Sequence, residues 1–138
     1  MAKLRLEIIT PERILFQKDV DEVQVPIMDG EIGILPGHTP LISQLALAGL
    51  LKYRNDGTQS RAVVGKGFVE VNSDKVTVLA SLAELPNEIN LESARHELES
   101  AERTIKAAEK NPDIDIEEAL VKLERSMIRV QAAEKSAE

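Results

Sequence analysis

Apolar and polar residues alternate with a period of two through most of the first part of the chain. Leu4, Leu6 and Ile8 are separated by Arg5 and Glu7, and Thr10-Pro11 closes the run. Val20, Val23, Val25 and Ile27 mark a second segment, bounded by Asp19 and by Met28-Asp29-Gly30. Leu50–Arg54 and Ser60–Val64 flank Asn55-Asp56-Gly57, a hairpin signal because these residues tolerate the positive φ of a tight turn. Gly65-Lys66-Gly67 punctuates the pattern. Then Phe68, Val69 and Val71 face Val76, Val78 and Leu79 across Asn72-Ser73-Asp74-Lys75. Short strands with turn signals at close spacing predict an antiparallel β-sandwich or flattened barrel over residues 1–85.

The period changes after Glu84-Leu85-Pro86, and glycine is absent from there to Glu138. Asn90 is placed to cap a helix from Leu91 to about Glu109, with Ile89 and Ala94 as its hydrophobic staple. The apolar positions of that helix are Leu91, Ala94, Leu98, Ala101, Ile105 and Ala108. Asn111-Pro112-Asp113 breaks it. A second helix is expected to start near Asp113 or Asp115 and run to about Ala133, with the seam Ile116, Leu120, Leu123, Met127 and Val130. Two narrow stripes joined by a short breaker predict an antiparallel helical hairpin over residues 86–138. Half of the first seam is alanine, which buries little surface. Isolated helices of this length are marginal in water. The pattern therefore accommodates both a fixed hairpin and one that detaches and rebinds.

Composition narrows the function. Aromatic residues are 2% and the net charge is −7, so the chain lacks both the stacking platforms and the clustered cations of a nucleic-acid binder. There is no cysteine, which removes disulfides, thiol chemistry and sulfur-ligated zinc. Charges interrupt Met1–Glu7, so no signal peptide is expected there. The longest apolar stretch, Pro40–Leu51, carries Ser43 and Gln44 and falls short of the roughly 20 residues a bilayer requires. Membrane association is therefore expected only through a partner.

Candidate chemistry is sparse. His38 lies in a Pro-Gly loop and His96 on the first helix, and neither has a second histidine placed to complete a metal or nucleophile site. Gly65-Lys66 is followed by Gly67 rather than Ser or Thr, so it is no phosphate loop. It reads as a tight turn or bulge where strands approach closely. Lys122, Arg125 and Arg129 form a basic flank on the second helix. An acidic protein partner and an ordinary solvated face both accommodate it.

The loop Gly30-Glu31-Ile32-Gly33-Ile34-Leu35-Pro36-Gly37-His38-Thr39-Pro40-Leu41 has the most distinctive residue order in the chain. Its glycines and prolines must turn tightly while apolar side chains are buried. This loop, Gly65-Lys66-Gly67-Phe68-Val69-Glu70-Val71 and Val76-Thr77-Val78-Leu79-Ala80 closely resemble segments of the epsilon subunit of F-type ATP synthases. That family usually has two adjacent glycines where this chain has Gly65-Lys66-Gly67. The resemblance spans the whole chain. It implies a non-catalytic subunit of the central rotor stalk, with the gamma subunit, the ring of c subunits, and the alpha and beta subunits as partners. It places Glu31 and His38 at the c-ring and gamma interface. It places Lys122, Arg125 and Arg129 against an acidic segment of beta, reached when the hairpin extends and brakes ATP hydrolysis. It implies a peripheral position on the cytoplasmic face of a bacterial membrane. Some family members bind ATP on the hairpin through an acid and two arginines. Here those places are Asn90, Ser93 and Ser100, so no cofactor is expected. Set beside this reading are a free-standing adaptor and a small β-sandwich enzyme.

Overall fold

The computed structural model describes residues 2–136. They divide into two compact units, one up to Leu85 and one from Pro86 onward.

The first unit contains eight strands: β1 (Leu4–Ile9), β2 (Ile14–Val20), β3 (Glu22–Ile27), β4 (Gly30–Ile34), β5 (Leu41–Gln44), β6 (Gly49–Asn55), β7 (Thr58–Asn72) and β8 (Lys75–Glu84). They follow the order β2-β1-β8-β7-β6-β3-β4, with β5 also paired to β7. Neighbours are antiparallel except β1 and β8, which run parallel from Arg5↔Lys75 to Ile9↔Leu79. The sheet closes over itself, so that the ring of Phe16 on β2 lies 5.0 Å from that of Tyr53 on β6. Leu4, Leu6, Ile8, Val23, Val25, Leu51, Val69, Val71, Val76 and Val78 fill the interior. β1, β3 and β8 contribute largely alternate residues, as a period of two requires.

Three strand assignments change. The segment Val20–Ile27 is not one strand, because β2 ends at Val20 and β3 begins at Glu22. Between them Asp21 donates its backbone N–H to Arg54 O at 2.7 Å. Gly30–Ile34, read as loop, is an edge strand on β3, and its glycines had masked the alternation of Ile32 and Ile34. Ser60–Val64 and Phe68–Val71 are halves of one strand, β7. At Gly65-Lys66-Gly67 that strand exchanges its neighbour, from β6 (Gly49↔Val64) to β5 (Gln44↔Phe68), while β8 stays paired on its other side. Lys66 takes φ 55° there and donates its N–H to Ala46 O at 3.0 Å. A methyl group at Gly65 would strike the carbonyl of Leu47, and one at Gly67 the carbonyl of Leu79. Close backbone approach explains both glycines.

Asn55↔Thr58 closes a two-residue turn with Asp56 and Gly57 both at positive φ, the mirror-image turn that suits a twisted hairpin. An ionic cluster fixes this turn to the start of the chain. Lys3 Nζ lies 2.7 Å from Asp21 Oδ1 and 3.0 Å from Asp56 Oδ1, and it donates to Asn55 Oδ1 at 2.7 Å. Asp56 N–H donates to Asp21 Oδ2 at 2.8 Å. The hydrogen bond from Lys3, then that from Asp56, holds the Asp21 carboxyl below its ordinary 3.8. The Asp21 and Asp56 hydrogen bonds raise Lys3 above its ordinary 10.5. A depressed acid stabilises above its unfolded value and loses this as pH falls through its folded one. A raised base stabilises below its unfolded value and loses this as pH rises through its folded one. The stability difference between wild type and Lys3→Met should thus be constant between 3.8 and 10.5 and shrink outside both limits. Thermal unfolding of both proteins across pH measures it, and a difference that persists in acid would refute the assignment.

The second unit holds a short 3-10 turn, Pro86–Glu88, and two helices, α1 (Leu91–Ala108) and α2 (Ile116–Ser136). Asn90 Oδ1 accepts the N–H of Ser93 at 2.9 Å and so caps α1. Asp115 Oδ1 accepts the N–H groups of Glu117 and Glu118 at 3.0 and 3.2 Å and caps α2. Asn111 turns the chain between the helices, its Oδ1 accepting the N–H of Asp113 at 3.0 Å. The inward stripe of α1 is Leu91, Ala94, Leu98, Ala101, Ile105 and Ala108, as its spacing predicts. The stripe of α2 is only in part the expected one. Leu123 and Val130 turn inward as expected, joined by buried Ala119, Ser126, Ala132 and Ala133, whereas Ile116, Leu120 and Met127 are 45%, 49% and 53% exposed. Small residues on both helices allow close packing, and Ser126 satisfies its hydroxyl by donating to Lys122 O at 2.8 Å.

Candidate docking and regulatory surfaces

β3 and β4 present the glycine-rich loop. Ile27↔Gly30 closes their hairpin, with Gly30 at φ 132°, and Glu31 stands opposite Pro26 on the edge strand. The only group near the Glu31 carboxylate among the described residues is Lys52 Nζ, 3.9 Å away. Both side chains are more than a third exposed, so the pair contributes at most about 1 kcal/mol and leaves Glu31 available. Beyond Ile34 the chain turns back on itself. His38 N–H donates to Leu35 O at 3.1 Å, and Gly37 N–H donates to Asp74 Oδ1 at 2.7 Å, which ties the loop to the β7–β8 turn. His38 Nδ1 lies 2.6 Å from Thr39 O and therefore carries the proton, leaving Nε2 for other contacts. Glu31 and His38 thus occupy one loop region but share no partner. The loop is less buried than its apolar content suggests: Ile34 is in the core, yet Leu35 and Met28 are more than half exposed.

A larger apolar feature lies across the outer face of the sheet. Ile14 pairs with Ile9, Ile9 with Leu79, Leu79 with Phe68 and Phe68 with Gln44, so these side chains form one row over β2, β1, β8, β7 and β5. Ile42, two residues before Gln44 on β5, extends it. Ile14, Leu79, Phe68 and Ile42 are 58%, 50%, 54% and 69% exposed. Five strands at ~4.8 Å spacing make the row roughly 19 Å long. An exposed apolar row of this size marks a contact surface rather than scattered surface residues. Sequence reading missed it because Phe68 and Leu79 look like core positions until the register places them outward.

On the hairpin, a cleft of about 470 Å³ opens between α1 and α2, lined among others by Ser100, Thr104, Asp115, Glu118, Lys122 and Arg125. Lys122 Nζ lies 3.5 Å from Glu118 Oε1. Arg129 Nη1 reaches Glu97 Oε2 on the other helix at 2.5 Å, with its side chain only 19% exposed. Arg95 Nη2 of α1 meets Glu134 Oε1 of α2 at 3.2 Å, with base and acid on the opposite helices. Within the basic flank, Arg129 is therefore turned toward α1, whereas Lys122 is exposed and pairs along its own helix. Glu97 and Glu134 were not distinguishable in sequence from the other helical carboxylates. His96 is exposed on α1. Asn90 is committed to capping α1. Among the described residues no cluster of three or more potential metal ligands occurs, and no helix is long and apolar enough to cross a membrane.

Comparison with known proteins accounts for both units. The beta-sandwich domain of the ATP synthase Delta/Epsilon chain family matches residues 3–86, and its long alpha-helix domain matches residues 87–134. The ATP synthase epsilon chain of Geotalea daltonii is 42% identical over 137 residues, covering 97% of this chain and 96% of that one. The epsilon chain of Moorella thermoacetica is 40% identical over 133 residues, covering 96% and 98%. That of Halalkalibacterium halodurans is 39% identical over 133 residues with the same coverage. In fold, the chain is similar to one in the Euglena gracilis mitochondrial ATP synthase OSCP/F1/c-ring structure, with a TM-score of 0.74 at 23% identity, covering 100% of this chain and 83% of that one. A chain from the Tetrahymena thermophila mitochondrial ATP synthase central stalk/c-ring structure gives 0.55 at 12% identity, covering 99% and 98%. The enzyme reading falls with these matches: the chain belongs to the epsilon-chain family of the F-type ATP synthase, whose members are non-catalytic subunits of that complex.

Proposed function

We propose that the sandwich joins the gamma subunit to the c ring and that the hairpin regulates ATP hydrolysis by contacting beta. The observation that carries the first half is the exposed apolar row Ile14-Ile9-Leu79-Phe68-Ile42 on an otherwise regularly patterned sheet. A rotor subunit transmits torque only if it is fixed to its neighbours, and a flat apolar face supplies that attachment. Glu31 and His38 stand on the glycine-rich loop as polar contacts to the c ring. Lys122, Arg125 and Arg129 supply the charge that meets an acidic segment of beta. The chain works at the cytoplasmic face of a bacterial membrane, held there through the complex.

Tagged chain should recover alpha, beta, gamma and c subunits from detergent-solubilised native membranes, each identified by mass. Phe68→Glu, an exposed position that the fold tolerates, should reduce recovery of all four by placing a charge in the middle of the row. Recovery of none of them by wild type would favour the free-standing adaptor. Undiminished recovery by Phe68→Glu would place the gamma contact elsewhere.

A further inference from the structure

Arg129 is far more sheltered than Lys122 of the same basic flank, and it pairs with a carboxylate of its own chain. Glu97 on α1 and Arg129 on α2 are 32 residues apart and bonded at 2.5 Å. A second pair, Arg95 with Glu134, spans 39 residues at 3.2 Å. Both cross from one helix to the other at the end of the hairpin away from its Asn111 turn. Alanine-rich packing holds that end weakly, because the small side chains of Ala94, Ala132 and Ala133 bury little area. Charge pairing there has a proportionally large influence on whether the helices stay together.

We infer that Glu97 is an intramolecular stand-in for the acidic partner: it occupies Arg129 while the hairpin is closed and must be exchanged for a partner carboxylate when the hairpin opens. This rests on the regulatory reading of the hairpin and names its switch. One guanidinium cannot keep its Glu97 geometry and also meet a second protein along the same direction, so closure and braking compete for the same group. The competition sets the threshold for opening rather than the strength of the final contact. Arg95–Glu134 lacks this double role, because Arg95 is not on the basic flank, and it acts only as a clasp.

Hydrogen exchange of the full chain and ATP hydrolysis by the assembled complex test this together. Glu97→Gln should raise amide exchange in α2 about twofold to fivefold, as expected for a half-exposed ion pair. Glu99→Gln, the same chemical change on the outward face of α1, should leave exchange at the wild-type rate. In the complex Glu97→Gln should deepen inhibition of hydrolysis. The exchanged pair, Glu97→Arg with Arg129→Glu, should restore slow exchange yet fail to inhibit, since position 129 would then repel an acidic partner. Exchange in Glu97→Gln equal to wild type overturns the inference. So does an exchanged pair that inhibits as wild type does. If Glu97→Gln speeds exchange but removing the hairpin leaves hydrolysis unchanged, the regulatory reading fails while the closing role of Glu97 stands.

Discussion

Gly67→Ala is expected to destabilise the sandwich by about 3 kcal/mol, at the upper end of what overpacking produces in a rigid surround. The added methyl has no direction in which to move. It would meet the carbonyl of Leu79 and the backbone of Ala80, both fixed in the β7–β8 ladder, rather than the mobile end of a side chain. Gly67↔Ala80 and Phe68↔Leu79 would have to separate, and with them the place where β7 changes neighbours. Three kcal/mol corresponds to a fall of roughly 12–24 °C in Tm for a unit of this size. Gly33→Ala is the control, since nothing lies within 4 Å of its added methyl and its φ is ordinary. Thermal unfolding of the two variants followed by near-ultraviolet or calorimetric signals decides the matter. A Gly67→Ala protein with wild-type Tm would mean that the ladder yields, and the account of the partner exchange would have to be abandoned.

The second large effect is functional. Ending the chain after Leu85 should leave assembly intact and relieve inhibition of ATP hydrolysis. The unit up to Leu85 keeps all eight strands, the whole sandwich core and the exposed apolar row. The deletion removes both helices and with them Lys122, Arg125 and Arg129. The expected outcome is a complex with the usual subunit composition and faster hydrolysis than wild type, and Arg125→Ala with Arg129→Ala in the full-length chain should raise hydrolysis toward the same rate. Failure of the shortened chain to assemble would show that the helices contribute to docking. Normal assembly with unchanged hydrolysis would remove the regulatory role and leave coupling in place.

The parts of this molecule that sequence reveals are those where a local rule and the tertiary environment agree. Asn55-Asp56-Gly57 forms its turn because the required φ values are a property of those residues alone. The α1 seam is legible because its apolar positions have no competitor on the other faces. On α2 two candidate stripes exist. The larger side chains of Ile116, Leu120 and Met127 suggest one, while packing selects the smaller residues Ala119, Ser126 and Ala133, which let the helix approach α1. Hydrophobicity ranks side chains but does not measure the gap they must enter. β4 was hidden for the opposite reason, since Gly30 and Gly33 carry no apolar signal even though Ile32 and Ile34 alternate correctly. Of the candidate site, loop residues Glu31 and His38 and the basic flank could be named from sequence. The apolar row could not, because it exists only once five strands are in register. Nor could the pairing of Arg129 with Glu97, which depends on how two helices meet.

The parallel pairing of β1 with β8 has a consequence for how the molecule comes into being. Arg5 and Lys75 become neighbours across 69 intervening residues, whereas β6 and β7 meet across a two-residue turn and the helices across a short breaker. Closing the longer loop costs more entropy, and no local contact compensates for it in advance. On a ribosome, β1 can pair with β2 early but must wait with its other edge open until β8 has been synthesised. β1, made before the other seven described strands, is therefore among the last of them to be fully housed, and the helices emerge only when the strand that completes the sheet is already available.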